Sequence, residues 1–146
     1  MRARRHGFPA VLLCVAAMTA CATAPAPATL EEAARQLDTD AGTLLTASEL
    51  HLSPASQEPD GSCVPGQARR YFRAESDVAD ASAGLLERLR AMGYDQVVDD
   101  LDLRDEEQDV AVLRNPRTRL TFELTVLSGE QPGVLLVGRT TCYATG

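Results

Sequence analysis

The sequence predicts an α+β domain: an N-terminal helix, then a β-α-β-β-β order, with a mainly antiparallel sheet covered on one face by helices. Three observations lead to this fold class. Apolar residues recur at helical spacing in two segments, near residues 30–50 and 76–92. From Tyr94 onward the apolar spacing changes to two, which is typical of strands. The turns between these later strands are short, and short connections join antiparallel neighbours.

The first helix is expected over residues 30–50. Thr29 and Glu32 stand in a capping box, in which each side chain satisfies a backbone amide that the first turn leaves without a partner. Behind it, apolar residues recur at helical spacing, namely Leu30, Ala34, Leu37, Ala41, Leu44 and Leu45. We expect this stripe to face the core rather than a partner, and we expect an interruption of the helix near Thr39–Gly42.

A loop, a strand and a second helix should follow. Proline and glycine punctuate residues 51–66, which are expected to form a loop, and residues 67–75 are expected to form the first strand. Ser76 or Asp77 then caps the second helix. Its buried stripe comprises Leu85, Leu86, Leu89 and Met92, where the helix ends. Gly93 terminates it in the left-handed conformation.

Alternation of polar and apolar residues predicts the later strands. It is present at Asp100–Arg104, at Asp109–Val112 and most clearly at Arg119–Val126. A turn at Ser128–Gly133 precedes the last strand, Val134–Cys142. The apolar run that opens this last strand indicates a central place in the sheet.

The first twenty residues have the pattern of an export signal. Three arginines precede an apolar stretch, Phe8–Met18, that is too short to span a bilayer. The segment Met18–Cys21 reads Met-Thr-Ala-Cys and resembles the lipobox of bacterial lipoproteins, in which the cysteine is acylated before cleavage. The resemblance implies a signal peptide at 1–20 and a lipid on Cys21. The alternative is an ordinary secretory signal that is cut after Ala20, Ala22 or Ala24.

The chain from Cys21 onward divides into a tether and one domain. Residues 21–28 are rich in alanine and proline, so they cannot pack a core and favour extended conformations. Residues 29–146 are enough for a single domain. With this tether, two widely spaced cysteines and a β-rich second half, the chain is similar to the small lipoproteins that actinobacteria export. The similarity implies a lipid-anchored location on the extracytoplasmic face of the cell membrane.

The chain after the predicted signal peptide, residues 1–20, which we call the leader, is strongly acidic. The leader holds three of the 14 basic residues and none of the 21 acidic ones, which leaves a net charge of −10. Nucleic acid and anionic headgroups are poor partners for a surface of that charge. We therefore expect a cationic partner, or a charge that serves solubility alone.

Cys63 and Cys142 are the two cysteines that remain once Cys14 leaves with the signal peptide and Cys21 takes the lipid. In an oxidising compartment they are expected to form a disulfide, which would stabilise the fold by about 4 kcal/mol through chain entropy. Their spacing excludes a redox Cys-x-x-Cys pair. Two thiols and His51, the one histidine after the leader, do not make a structural zinc site, so we expect no metal or cofactor.

An acidic cluster is the first candidate site. It comprises Asp95, Asp99, Asp100, Asp102, Asp105, Glu106, Glu107 and Asp109. The spacing of Asp100, Asp102 and Asp105 does not match a calcium-binding EF-hand loop. Alternation instead places Asp100 and Asp102 on a solvated strand face, with a weak cation site as the alternative.

A basic cluster, Arg69, Arg70 and Arg73, is the second candidate. Alternation points Arg69 and Arg73 to one side of the strand together with Tyr71, and it points Arg70 to the other side. Such a group suits contact with an anionic ligand or with a partner carboxylate. Pairing with the acidic strands of the same sheet explains it equally well.

No catalytic set is recognisable in the sequence. His51 has serines near it, but none of them has the glycine pattern of a nucleophile elbow, and glycine-rich phosphate loops are absent. The sequence therefore predicts a non-enzymatic module, tethered through Cys21, that binds another envelope protein. The first alternative is a small-ligand binder with a cavity between helices and sheet. An extracytoplasmic hydrolase is the third hypothesis.

Overall fold

The computed structural model describes residues 25–52, 63–97 and 108–146. Its helices are α1 (Leu30–Ala47) and α2 (Ala81–Ala91). The strands, in chain order, are β1 (His51–Leu52), β2 (Gln67–Ala68), β3 (Tyr71–Ser76), β4 (Asp95–Gln96), β5 (Gln108–Arg114), β6 (Thr121–Leu127), β7 (Gly133–Arg139) and β8 (Tyr143–Ala144).

Six strands form one antiparallel sheet in the order β1-β3-β7-β6-β5-β4. The strand β7 lies at its centre and pairs with β3 on one side and β6 on the other. The strands β2 and β8 pair in a separate small sheet. The predicted α+β class is confirmed, and so is the central place of the last long strand.

Both helices pack on the same face of the large sheet, which we call the covered face. Alternate strand residues are buried there, namely Ala74, Leu113, Phe122, Leu124, Val134 and Leu136. Leu37 and Leu44 of α1 and Leu85 and Leu89 of α2 complete this core. Tyr94 joins it by an edge-on contact with Phe122, with ring centroids 5.2 Å apart.

The start of α1 is capped as expected, with one change of partner. The Thr29 hydroxyl accepts the amide N–H of Glu32 at 3.2 Å. The Glu32 carboxylate accepts the N–H of Ala28 at 2.9 Å, one residue before the amide that a capping box would use. The acidic residues of this first turn also suit the positive end of the helix dipole.

The expected interruption near Thr39–Gly42 is wrong, because α1 is continuous to Ala47. The hydroxyls of Thr39 and Thr43 donate to carbonyls four residues earlier, at 2.9 and 3.1 Å, so they find partners inside the helix. Packing of one apolar side against the core then outweighs the weak helix propensity of this segment. The buried positions are Ala33, Leu37, Ala41 and Leu44.

The second helix begins later than expected. Ser76 still belongs to β3, and its hydroxyl accepts the N–H of Val78 in a turn rather than capping the helix. The N-cap residue is Asp80, without a capping hydrogen bond from its side chain. At the other end, Gly93 has φ +87°, and the amides of Gly93 and Tyr94 donate to the carbonyls of Arg90 and Leu89. This Schellman motif confirms the predicted C-cap.

Three strand boundaries also differ from the expectation. Residues 67–75 are split between β2 and β3, which belong to different sheets. The expected loop at 51–66 begins with the short strand β1, and residues 53–62 lie outside the described residues. The last long strand ends at Arg139, so Cys142 lies in the link to β8. The predicted strand at Asp100–Arg104 lies outside the described residues.

Cys63 and Cys142 form the predicted disulfide, with Cα atoms 5.9 Å apart. It joins the segment that enters β2 to the link between β7 and β8 across 79 residues of chain. The amide of Thr145 donates to the carbonyl of Gly66 at 2.9 Å beside it. The C-terminal segment is therefore tied to the chain that leads into β3.

Candidate functional site

The face of the large sheet opposite the helices is the candidate site, and we call it the open face. It carries Tyr71, Arg73 and Glu75 from β3, Val110, Val112 and Arg114 from β5, Thr121, Glu123 and Thr125 from β6, and Leu135, Val137 and Arg139 from β7. Charged and apolar side chains alternate across this surface. Most of them are half-buried, while Arg73, Glu75 and Arg114 are exposed.

Strand register sets the neighbours on this face. Arg73, Val137, Glu123 and Val112 lie opposite one another in one row across four strands. Arg139 belongs to the next row, and its guanidinium lies 3.7 Å from the Glu123 carboxylate. Both side chains are about one third exposed, at 33% and 34%, so this ion pair contributes little to stability, roughly 0–1 kcal/mol.

The predicted basic cluster is only partly brought together. Tyr71 and Arg73 share the open face as alternation predicts, and Arg73 forms no ion pair with any described residue. The Arg69 guanidinium lies 5.3 Å from the centre of the Tyr71 ring, within the range of a cation–π contact. Arg70 is exposed, and its backbone pairs with Thr140. The ion pair Arg139–Glu123 was not predicted, since it depends on the register of β6 against β7.

The other candidate residues that the structure describes, His51, Asp95 and Asp109, lie on three different strands. His51 is exposed on the edge strand β1, opposite Glu75. Asp95 and Asp109 of the acidic cluster are exposed, and its other members lie outside the described residues. Within ranges 25–52, 63–97 and 108–146, no three metal-ligating side chains come together.

A groove between α2 and the sheet is a second feature that sequence reasoning did not locate. It has a volume of about 340 Å³ and lies against the N-terminal half of α2 and the strands β5 and β6. Its walls are mainly apolar and include Ala83, Leu86, Ala111, Leu124 and Val126. Ser82, Gln96 and Asp109 supply polar groups.

Tyr94 and Asp40 form a polar contact at the margin of the core. The Tyr94 hydroxyl donates to the Asp40 carboxylate at 2.6 Å, and the Gln36 amide donates to its other oxygen at 2.9 Å. Burial raises the pKa of Tyr94 well above its ordinary value, and the hydrogen bond to Asp40 raises it further. The contact therefore keeps Tyr94 protonated and ties α1 to the chain after α2.

No protein-family model, curated protein or solved structure matches this chain. No helix in the described parts of the chain is long and apolar enough to cross a membrane.

Proposed function

We propose that this chain is a lipid-anchored protein of the extracytoplasmic membrane face that acts as a non-enzymatic interaction module. The segment Met18–Cys21, with its resemblance to a lipobox, supports the anchor on Cys21. The alanine- and proline-rich residues 21–28 supply a spacer of the kind an anchored domain needs. The partner is another protein of the cell envelope, and the open face binds it.

The composition of the open face carries this proposal. Val112, Leu135 and Val137 keep part of their apolar surface in contact with solvent, and charged residues surround them. A solvated sheet face without a binding role is usually polar. A mixed apolar and charged surface is instead typical of interfaces that form and dissociate. Arg73, which is exposed, suits a carboxylate of the partner.

Cross-linking in intact cells, followed by affinity capture and mass spectrometry, tests the proposal. Arg73→Glu reverses the charge on the open face, and Arg35→Glu makes the same change on an exposed position of α1. We expect one envelope protein to dominate the capture from the wild type and from Arg35→Glu. Arg73→Glu should reduce its recovery about tenfold, as expected when a charge-assisted contact is replaced by repulsion.

The variant Cys21→Ser separates the anchor from the binding surface. It should lose the acyl group, measured as intact mass, and should release the protein from the membrane fraction. A wild-type chain without an acyl group would contradict the anchor. Equal recovery of the partner with Arg73→Glu and Arg35→Glu, or no enriched partner at all, would contradict the role of the open face.

The groove favours a second candidate function, binding of a small apolar ligand. Its volume of about 340 Å³ lies within the usual range of ligand sites, and its walls are mainly apolar. An apolar fluorescent dye, anilinonaphthalene sulfonate, tests it. Ala83→Trp would fill the groove and should abolish dye binding, whereas Ala91→Trp, at the other end of α2, should leave it unchanged. Equal dye binding by both variants would rule out the groove as the site.

A further inference from the structure

Charge is unevenly distributed between the two ends of the large sheet. One end, which we call the hairpin end, comprises the row Tyr71, Arg139, Thr121, Arg114 and Asp95 together with the β5–β6 hairpin at 115–120. Its arginines are Arg114, Arg117, Arg119 and Arg139, and Arg70 lies beside the row, directly before β3. The opposite end carries Asp77, Asp80, Asp109 and Glu130, and no arginine among the described residues.

The two ends lie farther apart than the distance over which salt screens exposed charges, so a neighbouring surface interacts mainly with the charges of the end that it contacts. A seven-residue strand such as β6 spans about 20 Å at a rise of roughly 3.4 Å per residue. Charges on exposed groups are screened over about 8–10 Å at physiological ionic strength. A surface that lies against the hairpin end therefore meets these arginines, offset by Asp40, Asp95 and Glu123 and by Glu31 and Glu32 in the first turn of α1.

The hairpin presents its arginines on a firmly held loop. The side-chain oxygen of Asn115 accepts the amides of Arg117 and Thr118 at 3.0 and 3.2 Å, and its backbone pairs with Leu120 and Arg119. The guanidinium groups of Arg114, Arg117 and Arg119 form no ion pair with any residue that the structure describes.

Arg119 occupies a backbone conformation that favours glycine. It has φ +61° and is the sole described residue other than glycine with a positive φ. Glycine or asparagine is the usual choice at such a turn position, because a side chain there costs conformational energy. Backbone strain of this kind concentrates at functional sites, so Arg119 is a candidate for a binding role.

The tether enters the domain at this same end. Pro25 and Pro27 line a small groove together with Asn115, Arg117 and Thr118 of the hairpin. The Tyr143 hydroxyl donates to the Pro27 carbonyl at 3.3 Å and holds the entering chain there. Pro25 is four residues after Cys21, and four residues of fully extended chain reach at most about 14 Å.

We infer that the hairpin end is the membrane-facing surface of the domain and that Arg117 and Arg119 contact the anionic headgroups of the phospholipid bilayer. The inference rests on the proposed anchor, since a lipid on Cys21 holds this end within reach of the bilayer. A net charge of −10 disfavours anionic headgroups for the surface as a whole, but the hairpin beside the tether presents Arg117 and Arg119 in exposed positions.

Fluorescence quenching by lipid tests the inference with the full chain. The chain contains no tryptophan, so Pro116→Trp in the hairpin and Gln131→Trp in the β6–β7 turn each introduce a single indole at an exposed position. The processed protein is reconstituted in vesicles of phosphatidylcholine, with or without phosphatidylglycerol, whose acyl chains carry bromine near the glycerol. We expect strong quenching of Pro116→Trp in the phosphatidylglycerol vesicles and weak quenching in the neutral ones. Gln131→Trp should be quenched weakly in both.

Matched charge removals identify the arginines responsible. Each arginine near an anionic surface favours contact roughly fivefold. Adding Arg117→Gln and Arg119→Gln to Pro116→Trp should therefore lower the ratio of docked to undocked protein roughly 25-fold and remove most of the extra quenching. Arg119→Gln alone should lower this ratio roughly fivefold, whereas Arg73→Gln, which removes one charge from the middle of the open face, should leave the quenching unchanged.

Intact mass and flotation with the vesicles are measured first. They distinguish failure of the proposed anchor from failure of the proposed membrane-facing surface. A chain without an acyl group that does not float would overturn the proposed anchor and this inference with it. An acylated, floating chain overturns the inference alone in three cases. In the first, Pro116→Trp is quenched equally in both kinds of vesicle. In the second, Gln131→Trp is quenched as strongly as Pro116→Trp. In the third, removing the charges of Arg117 and Arg119 does not change the quenching.

Discussion

The two faces of the large sheet are built from adjacent residues of the same strands, yet they differ in chemistry. On the covered face, Phe122, Leu124 and Leu136 belong to the apolar core and are at most 2% exposed. On the open face, their neighbours Glu123 and Leu135 are half-buried and mix charge with apolar surface. The helices account for this difference, because they remove one face from water.

The comparison shows how the two faces divide the contributions to stability. Burial of apolar area stabilises in proportion to the area removed from water, so the covered face should carry most of the folding free energy. The open face contributes less, so substitutions of its side chains should change the stability of the fold little. Substitutions of neighbouring, chemically matched residues test this difference in stability.

The largest effect is expected from leucine truncation on the covered face. Leu136→Ala should lower the free energy of unfolding by about 3 kcal/mol, because it removes a fully buried side chain and leaves a cavity. Leu135→Ala, the next residue on the open face, should cost less than about 1 kcal/mol. Urea unfolding of both variants gives the two values. Equal losses would contradict the separation of the faces.

A smaller effect is expected where the covered face has no space for a side chain. A Cβ atom at Gly138 would lie 2.6 Å from the Phe122 ring and 2.9 Å from Leu37, so Gly138→Ala should destabilise by about 2 kcal/mol. The control is Gly84→Ala on α2, where nothing beyond the helix's own backbone lies within 4 Å of an added Cβ atom. It should stabilise by about 0.5–1 kcal/mol, because alanine favours helix. Thermal unfolding gives the sign of the change in stability for each variant. Two changes of the same sign would show that packing does not distinguish the sites.

The smallest effect concerns the polar contact at the margin of the core. Tyr94→Phe removes the hydrogen bond to Asp40 and should cost about 1.5 kcal/mol at neutral pH. In the unfolded chain Tyr94 has its ordinary pKa of 10.0, and in the fold its pKa is higher. Its contribution is therefore complete below about pH 10 and is lost as the pH rises above that value.

The measurement is the free energy of unfolding between pH 8 and 11 for the wild type and Tyr94→Phe. Above pH 10 the wild type should lose up to about 1.4 kcal/mol more per pH unit than the variant does, because one raised pKa contributes at most that slope. Parallel curves for the two proteins would show that Tyr94 ionises as readily in the fold as in the unfolded chain.

Local signals in the sequence predicted the helix ends best where a single residue caps the helix. Thr29 and Gly93 act within one turn of backbone, so their roles could be predicted. Ser76 could not be excluded as a helix cap, because its place in β3 depends on pairing with a strand that is distant in the sequence. Its pairing with Val134 extends β3, and Gly133 lets the two backbones approach closely at that point. Tertiary pairing therefore overrides a local capping preference.

The candidate site was predictable to a similar extent. Alternation correctly assigned Tyr71 and Arg73 to one face, since the period of a strand needs no knowledge of its neighbours. The pair Arg139–Glu123 and the clustering of arginines at the hairpin end depend on which strands lie side by side and in which register. Net charge conceals such a distribution, because it sums over both ends of the sheet.

The central place of β7 has a consequence for the order in which the molecule can fold. β7 (Gly133–Arg139) pairs with both β3 and β6, so it joins the two halves of the sheet near the end of the chain. A chain delivered N-terminus first, from a ribosome or through an export channel, cannot complete its core until these residues emerge. The segments before β7 therefore reach their native packing only after this last long strand has emerged.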